Sequence, residues 1–175
     1  MPKSHDYFIR SATDFGRLIT MNVTSEGRYL EFKREVHGWP VPATMPEPER
    51  RKAQKELCRD VSQFANTDGG CLLVGVDEIT NSMGLHVASR IESVVQPDGL
   101  KAWIEQAITN YCVPWAFDRH LEAIPIGGDI VVAVNVEPSF HTVYIGTRRT
   151  RRWRCWSGRV TASAASTPTS WRDTS

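Results

Sequence analysis

Long apolar runs are absent from this 175-residue chain. No stretch approaches the roughly 18 consecutive apolar residues that a membrane-spanning helix requires. The first ten residues, MPKSHDYFIR, also lack the apolar middle of a signal peptide. The sequence therefore predicts a soluble, cytoplasmic protein that makes no membrane contact. With 41% apolar and 23% charged residues, the composition is that of an ordinary globular domain with one core.

Cysteine clusters are missing as well. The four cysteines occur without a C-x-x-C pair, which argues against both a zinc ribbon and a disulfide framework. We expect reduced and mostly buried thiols at Cys58, Cys71, Cys112 and Cys155. The histidines show no metal-ligand spacing, so structural or exposed roles are expected for His5, His37, His86, His120 and His141.

A nucleotide-binding P-loop is excluded by what the sequence NTDGG, residues 66–70, does not contain. Its backbone N–H groups could cradle a phosphate, but no G-K-[ST] follows and no lysine lies nearby. We interpret the segment as a helix end and a tight turn. Contact with nucleic acid through Asn66 or Thr67 is the alternative.

The charges that are present are unevenly distributed. Residues 1–136 hold 14 Lys and Arg against 18 Asp and Glu, whereas residues 137–175 hold 7 against 2. A basic segment gains affinity for nucleic acid by neutralising phosphates and releasing counterions. Phosphate contact is therefore predicted for Arg148, Arg149, Arg151, Arg152 and Arg154.

The tryptophans divide into two groups. Trp153 and Trp156 lie among the arginines, where they could stack on bases. Packing in the core or in loops is expected for the earlier ones, Trp39, Trp103 and Trp115. Beyond them, residues 157–175 are rich in Ser, Thr and Ala, a composition that predicts disorder.

Hydrophobic periodicity predicts the elements of the first half. TDFGRLITM, residues 13–21, indicates a short amphipathic helix or a turn. In RYLEFKREV, residues 28–36, apolar and charged residues alternate as in a half-buried strand, so Glu31 and Lys33 share one face. A proline-rich loop precedes a helix beginning near Glu49, whose apolar side is Ala53, Leu57, Val61, Phe64 and Ala65.

The second half alternates strands and a helix. The apolar run CLLVGV, residues 71–76, predicts a strand buried on both faces that delivers Asp77 and Glu78 to its end. A strand in residues 85–91, a helix in residues 96–112 and a hairpin around Gly127-Gly128 follow. These elements predict an α+β fold, a mixed sheet with two main helices packed on one face.

Several of these blocks together resemble the Schlafen AlbA-type domain family. The blocks are Glu26, then Glu31-Phe32-Lys33, then FANTDGG at residues 64–70, an apolar strand and Gly75-Val76-Asp77. The resemblance covers roughly residues 24–140. We accordingly divide the chain into an N-terminal extension (1–23), a Schlafen AlbA-type domain (24–145) and a basic, then Ser/Thr/Ala-rich, disordered tail (146–175).

The resemblance implies an Alba-like fold that contacts DNA or RNA. Some relatives look like DNA-binding, regulatory modules, whereas vertebrate ones use acids of this domain in a metal-dependent RNA-cleaving site. Carried over to this chain, that site is Glu26, Glu31 and either Asp77 or Glu78, with Mg²⁺ or Mn²⁺ as cofactor. Pairing of two copies, as in Alba proteins, is a further expectation.

The chemistry of such a site is consistent with the residue types. Carboxylates within about 4–6 Å bind Mg²⁺ or Mn²⁺ through oxygen, and Lys33 could steady charge on a phosphate. Glu26 and Glu31 are an odd number apart, so Glu26 must lie in the turn before the strand. Asp77 and Glu78 point to opposite faces, and the apolar run places Asp77 with Leu73 and Gly75.

Three functions remain open on the sequence. A non-catalytic nucleic-acid-binding module predicts salt-dependent binding that survives Glu31→Gln. A metal-dependent nuclease predicts cleavage that needs Mg²⁺ or Mn²⁺. A protein-interaction scaffold is the third, because the net acidic charge of residues 1–136 disfavours non-specific DNA binding.

Overall fold

The computed structural model describes residues 4–37, 39–40, 44–146 and 154–155. After one 3-10 turn, Ser4–Tyr7, the described helices are α1 (Ala12–Leu18), α2 (Glu47–Ala65) and α3 (Pro97–Tyr111). The described strands are β1 (Leu30–Lys33), β2 (Gly70–Val74), β3 (Val76–Thr80), β4 (His86–Ile91), β5 (Cys112–Val113), β6 (Arg119–Ile126), β7 (Asp129–Val136), β8 (Tyr144–Ile145) and β9 (Arg154–Cys155).

A four-stranded mixed sheet forms the centre, in the order β1-β2-β7-β6. β1 runs parallel to β2, and the other neighbours are antiparallel. The β6–β7 hairpin turns at Gly127 and Gly128, whose φ angles of 62° and 114° suit the two central positions of a hairpin turn. The α+β fold is confirmed.

Helices α2 and α3 cover one face of this sheet. Leu57 and Val61 of α2 and Ile104 of α3 are buried with Leu72 and Val134, which alternate toward the helices along β2 and β7. The prediction of two main helices on one face is confirmed. Because each strand presents every second residue to this side, the other half of the strand residues needs a different cover.

That cover comes from the N-terminal residues. Ile9, Phe15 and Ile19 are buried against Leu73 and Ala133 on the opposite face of the sheet. The amphipathic pattern of TDFGRLITM thus forms helix α1. The segment predicted to be an extension of the domain is part of its core.

A buried asparagine fastens this segment. The side chain of Asn135, on β7, accepts a hydrogen bond from the Ile9 N–H and donates one to the Ile9 carbonyl, both at 2.9 Å. Both polar atoms of the buried amide therefore have a hydrogen-bond partner in the backbone that it holds.

The run CLLVGV is not one continuous strand, contrary to the sequence prediction. β2 ends at Val74, and Gly75 has a φ of 93°. A Cβ there would lie 2.8 Å from the Glu92 carbonyl oxygen and 2.9 Å from Val94, so glycine is required. The chain turns out of the sheet, and β3 pairs with β4 as a separate two-stranded ribbon.

Nearly all of the predicted tail, residues 147–153 and 156–175, lies outside the described residues. The described part forms β9, which pairs with β8, with Arg154 opposite Ile145. Backbone groups of a short edge strand accept another strand whatever its side chains, which composition alone does not reveal. Among the residues that the structure describes, no helix has the length and apolar character to cross a membrane.

Candidate functional site

Glu26 lies where the sequence analysis required it, before the turn that leads into β1. Its backbone N–H donates to the His86 carbonyl oxygen at 2.9 Å, which fixes residue 26 beside β4. Its side-chain Oε1 accepts a 2.7 Å hydrogen bond from the N–H of Phe32. The carboxylate therefore binds the outer edge of β1, opposite the edge that pairs with β2.

Glu78 and His86 reach the same place from the ribbon. Glu78 pairs with Ala88 and His86 with Thr80, so the two side chains are diagonal neighbours on one face. His86 Nδ1 lies 3.2 Å from Glu78 Oε1. Ligand atoms of Glu26, Glu78 and His86 all lie within 4.8 Å of one another. We call these three residues the Glu-Glu-His cluster.

The two carboxylates of the cluster have too little positive charge around them to balance their negative charge. Burial, together with the negative charges of Glu31 and Glu78, raises the pKa of Glu26 to about 7, against the lowering effect of the Phe32 N–H. Glu78 Oε2 is buried and has no hydrogen-bond partner among the described atoms. A cation between the carboxylates would relieve both conditions.

Glu31 and Lys33 lie beside the cluster on the exposed edge of β1. Lys33 Nζ is 3.4 Å from Glu31 Oε1 and 3.0 Å from Asp60 Oδ2 on α2. Burial acts to lower the pKa of Lys33, but these two carboxylates outweigh it and raise that pKa. The Lys33 ammonium group is therefore positioned by two ion pairs, one to Glu31 and one to Asp60. No sequence pattern had singled out Asp60.

Of the two acids after the central strand, Glu78 rather than Asp77 lies beside Glu26. Asp77 forms an ion pair with Arg90, its partner across the ribbon, at 3.2 Å. The face-sharing argument that favoured Asp77 assumed an unbroken strand, and the turn at Gly75 removes that assumption.

His86 is the member of the cluster that the sequence analysis missed. It lies eight residues after Glu78, with no regular ligand spacing, and it reaches Glu78 only through the register of the ribbon. One feature of the sequence could have identified His86. If the strand predicted in residues 85–91 is paired as a hairpin with the segment that contains Asp77 and Glu78, His86 comes close to Glu78.

The residues predicted for nucleic-acid contact are placed unequally. The side-chain amide of Asn66 forms two hydrogen bonds with the backbone of Val143. It donates to the Val143 carbonyl at 2.9 Å and accepts from the Val143 N–H at 2.6 Å. Thr67 Oγ1 donates to carbonyls of the last turn of α2, Gln63 and Phe64. Arg154 begins β9, while Arg148, Arg149, Arg151 and Arg152 lie outside the described residues, as do Trp153 and Trp156.

The cysteines behave as expected where they are described. Cys58, Cys71 and Cys112 are buried free thiols, and burial raises the pKa of the Cys71 thiol to about 12. The Cys71 thiol is therefore a poor nucleophile and a poor metal ligand. Thiol chemistry at this position is not part of the site.

The donor set of the Glu-Glu-His cluster fits a divalent cation. Two carboxylates supply the oxygen ligands that Mg²⁺ and Mn²⁺ prefer, and an imidazole shifts the preference toward Mn²⁺ or Zn²⁺. The buried, unpartnered oxygen of Glu78 is the observation that favours this fit.

Comparison with known families decides the affiliation. The family described as Schlafen, AlbA_2 matches residues 26–156, about three quarters of the chain, including all of the Glu-Glu-His cluster. The chain belongs to this family. The resemblance drawn from Glu26, Glu31 and the FANTDGG segment is confirmed.

One solved structure shares the architecture of this Schlafen AlbA_2 chain, and a second is a much weaker match. The N-terminal domain of a RecG-related protein from Nitrosomonas europaea, solved by NMR, matches with a TM-score of 0.56 at 23% identity, over 93% of this chain and 96% of that one. A crystal structure from Corynebacterium diphtheriae matches with a TM-score of 0.37 at 22% identity, over 73% and 22%. The first shows a shared fold, and the second is too distant to be informative. A search of curated proteins finds no significant match.

Proposed function

We propose that this chain is a nucleic-acid-binding protein. Membership of the Schlafen AlbA_2 family points to a nucleic-acid-related role. The observation that carries the proposal is the pairing of β9 with β8, because it joins the backbone of Arg154, the last arginine of the basic sequence 148–154, to Ile145 of the folded domain. Five of the seven residues 148–154 are arginine, and arginine contacts phosphate through two parallel hydrogen bonds.

Two further points agree with this proposal. The family match extends to residue 156 and therefore includes the basic segment. The RecG-related relative is named as related to an ATP-dependent DNA helicase, although 23% identity shows only its fold.

The test is binding of labelled single-stranded DNA, duplex DNA and RNA, measured by fluorescence anisotropy over a salt series. Replacing Arg148, Arg149, Arg151 and Arg152 by Gln should weaken binding tenfold or more and flatten the salt dependence. A matched variant removes four described cations elsewhere, Arg17, Arg50, Lys52 and Lys101, and should stay within about threefold. Equal losses in both variants, or no binding by the unaltered chain, would refute the proposal.

Metal-dependent phosphodiester cleavage is the second candidate, favoured by the Glu-Glu-His cluster. A bound Mn²⁺ or Mg²⁺ would polarise a phosphoryl oxygen and lower the pKa of a bound water. Glu26 and Glu78 would hold the cation through oxygen and His86 through Nδ1. Lys33, anchored by Glu31 and Asp60, would balance negative charge on the phosphate.

This second candidate has its own experiment. Cleavage of labelled RNA and single-stranded DNA is measured with Mn²⁺, with Mg²⁺ and with EDTA. Glu26→Gln and Glu78→Gln should each lower the rate at least 100-fold while nucleic-acid binding persists, and Asp77→Asn should retain cleavage. Binding without any metal-dependent cleavage would reject the nuclease and leave the binding function standing.

A further inference from the structure

Apart from the Glu-Glu-His cluster, the described chain has a second candidate binding surface, at the end of the domain that carries β8. Three aromatic side chains lie exposed there, Trp115, Phe140 and Tyr144, with relative exposures of 45%, 102% and 37%. They are the only aromatic residues among the large exposed hydrophobic side chains of the described residues. We call them the aromatic platform. The expectation that Trp115 packs in the core or a loop did not anticipate this exposure.

A cavity of about 440 Å³ lies at this end of the domain, lined by Val113, Pro114, His141, Thr142 and Tyr144. Trp115 directly follows Pro114 in the chain, and Phe140 directly precedes His141, so each is the sequence neighbour of a lining residue. Tyr144 pairs with Val113 across the β5–β8 ladder. The volume lies in the range of small-ligand clefts, and none of the described lining residues carries a negative charge.

The loop that presents Phe140 is anchored on both sides. Ser139 N donates to the Ala65 carbonyl at 2.7 Å, at the end of α2. Ser139 Oγ also donates to the His141 carbonyl at 2.7 Å. Asn66 then holds Val143 through its two amide hydrogen bonds. The backbone on both sides of the exposed Phe140 is therefore held by hydrogen bonds.

Positive charge adjoins the aromatic platform along the chain. β8 contains Tyr144 and pairs with β9, which begins at Arg154. The sequence between these strands contains four more arginines. The combination of exposed aromatic rings and a basic sequence suits a ligand that has both flat apolar faces and phosphates, namely an unpaired nucleic-acid strand. A base pair inside a duplex has its faces covered by its neighbours.

We propose that the aromatic platform is a stacking site for the bases of single-stranded nucleic acid. This inference rests on the proposed nucleic-acid-binding function and adds its substrate class. Phe140 and Trp115 stack on bases. Asn66 acts as a positioning residue, since it orders the segment that carries Phe140 and Tyr144.

The experiment compares the full chain with variants on labelled oligo(dT), oligo(U) and a blunt DNA duplex. Phe140→Ala should weaken binding of both single strands about tenfold, and the double variant with Trp115→Ala by more, with duplex affinity changed less than twofold. Phe140→Trp should restore affinity because stacking needs only a flat ring. Met83→Ala, an exposed apolar residue on the ribbon, is the matched control and should change nothing.

The outcomes separate this inference from the proposed function. If all three ligands bind in a salt-dependent way and Phe140→Ala leaves their affinities unchanged, the stacking site is refuted and the nucleic-acid-binding function stands. Failure to bind any of them would overturn both. If Phe140→Ala instead converts a dimer to a monomer in light scattering, the surface joins two copies of the chain and the stacking site is refuted.

Discussion

Glu26 serves the fold and the candidate site with one carboxylate. Its Oε1 accepts a hydrogen bond from the Phe32 N–H at the free edge of β1, while its ligand oxygen lies near a carboxylate oxygen of Glu78 and a ring nitrogen of His86. A glutamine at this position would keep an oxygen for the Phe32 N–H and lose the negative charge. The two roles can therefore be separated by one substitution.

The raised pKa of Glu26 predicts that the stability of the protein decreases as the pH rises. Its pKa is raised from 4.5 to about 7 in the folded protein, so the folded state holds the proton more tightly than the unfolded chain. The free energy of unfolding should therefore fall as pH rises through this window, and level off above it. For a half-exposed carboxylate the loss is ~1–2 kcal/mol after screening by solvent.

Urea denaturation in EDTA between pH 4 and pH 8 measures this loss. Glu26→Gln should remove it, and that variant should exceed the unaltered chain in stability above pH 7. Glu122→Gln, on the exposed side of β6, is the control. Curves of the same shape for the unaltered chain and Glu26→Gln would show that this carboxylate does not cause the effect.

At the scale of elements, the break at Gly75 separates the ribbon from the sheet. Gly75→Ala adds a Cβ that meets the Glu92 carbonyl at 2.8 Å at a φ of 93°, so a loss of about 2–4 kcal/mol is expected. Gly84→Ala, in the β3–β4 turn, has a φ of 76° but open space around the added carbon. It should cost about 1–2 kcal/mol. Chemical denaturation gives both values, and equal losses would contradict the steric argument.

The two hydrogen bonds from Asn66 to Val143 hold the β8 segment against the end of α2. Asn66→Ala leaves both Val143 groups without these partners and should destabilise the protein by about 1–3 kcal/mol. Amide hydrogen exchange should show faster exchange at Val143. Asn66→Asp keeps the acceptor and loses the donor, so its effect should lie between. Unchanged protection of Val143 in Asn66→Ala would mean that the segment is held by other contacts.

At the scale of the whole molecule, the N-terminal residues complete the core. Phe15 is 5% exposed and packs on the face of the sheet away from α2 and α3. Phe15→Ala should therefore cost about 3–5 kcal/mol. Val23→Ala, at a residue that is 70% exposed, should stay within about 0.5 kcal/mol. Thermal or urea unfolding would distinguish these values, and similar stabilities would mean that the segment is not part of the cooperative core.

Local patterns predicted most of the scaffold. Leu57, Val61 and Phe64 repeat at helical spacing whatever their surroundings, and Gly127-Gly128 requires a turn by its own conformational freedom. Such features depend on neighbours in sequence. The two helices and the β6–β7 hairpin were therefore accessible without a structure.

The features that escaped prediction depend on residues far apart in sequence. Gly75 breaks its strand because Glu92 and Val94 approach its backbone. His86 joins the site through a strand register, and Asn135 and Asn66 act on backbone 126 and 77 residues away. Each of these residue types is compatible with many environments, so only the assembled chain selects one.

The ribbon has a consequence for how this domain can diversify. Glu78 and His86 both lie on it, and the ribbon leaves the central sheet at Gly75 and returns at Glu92, whose N–H donates to the Gly75 carbonyl at 2.9 Å. Substitutions confined to residues 76–91 can therefore exchange two of the three candidate ligands without altering a strand of the central sheet. Descendants of one scaffold could gain or lose metal chemistry in this way while keeping the central sheet, and a library randomised only in the ribbon would sample those chemistries directly.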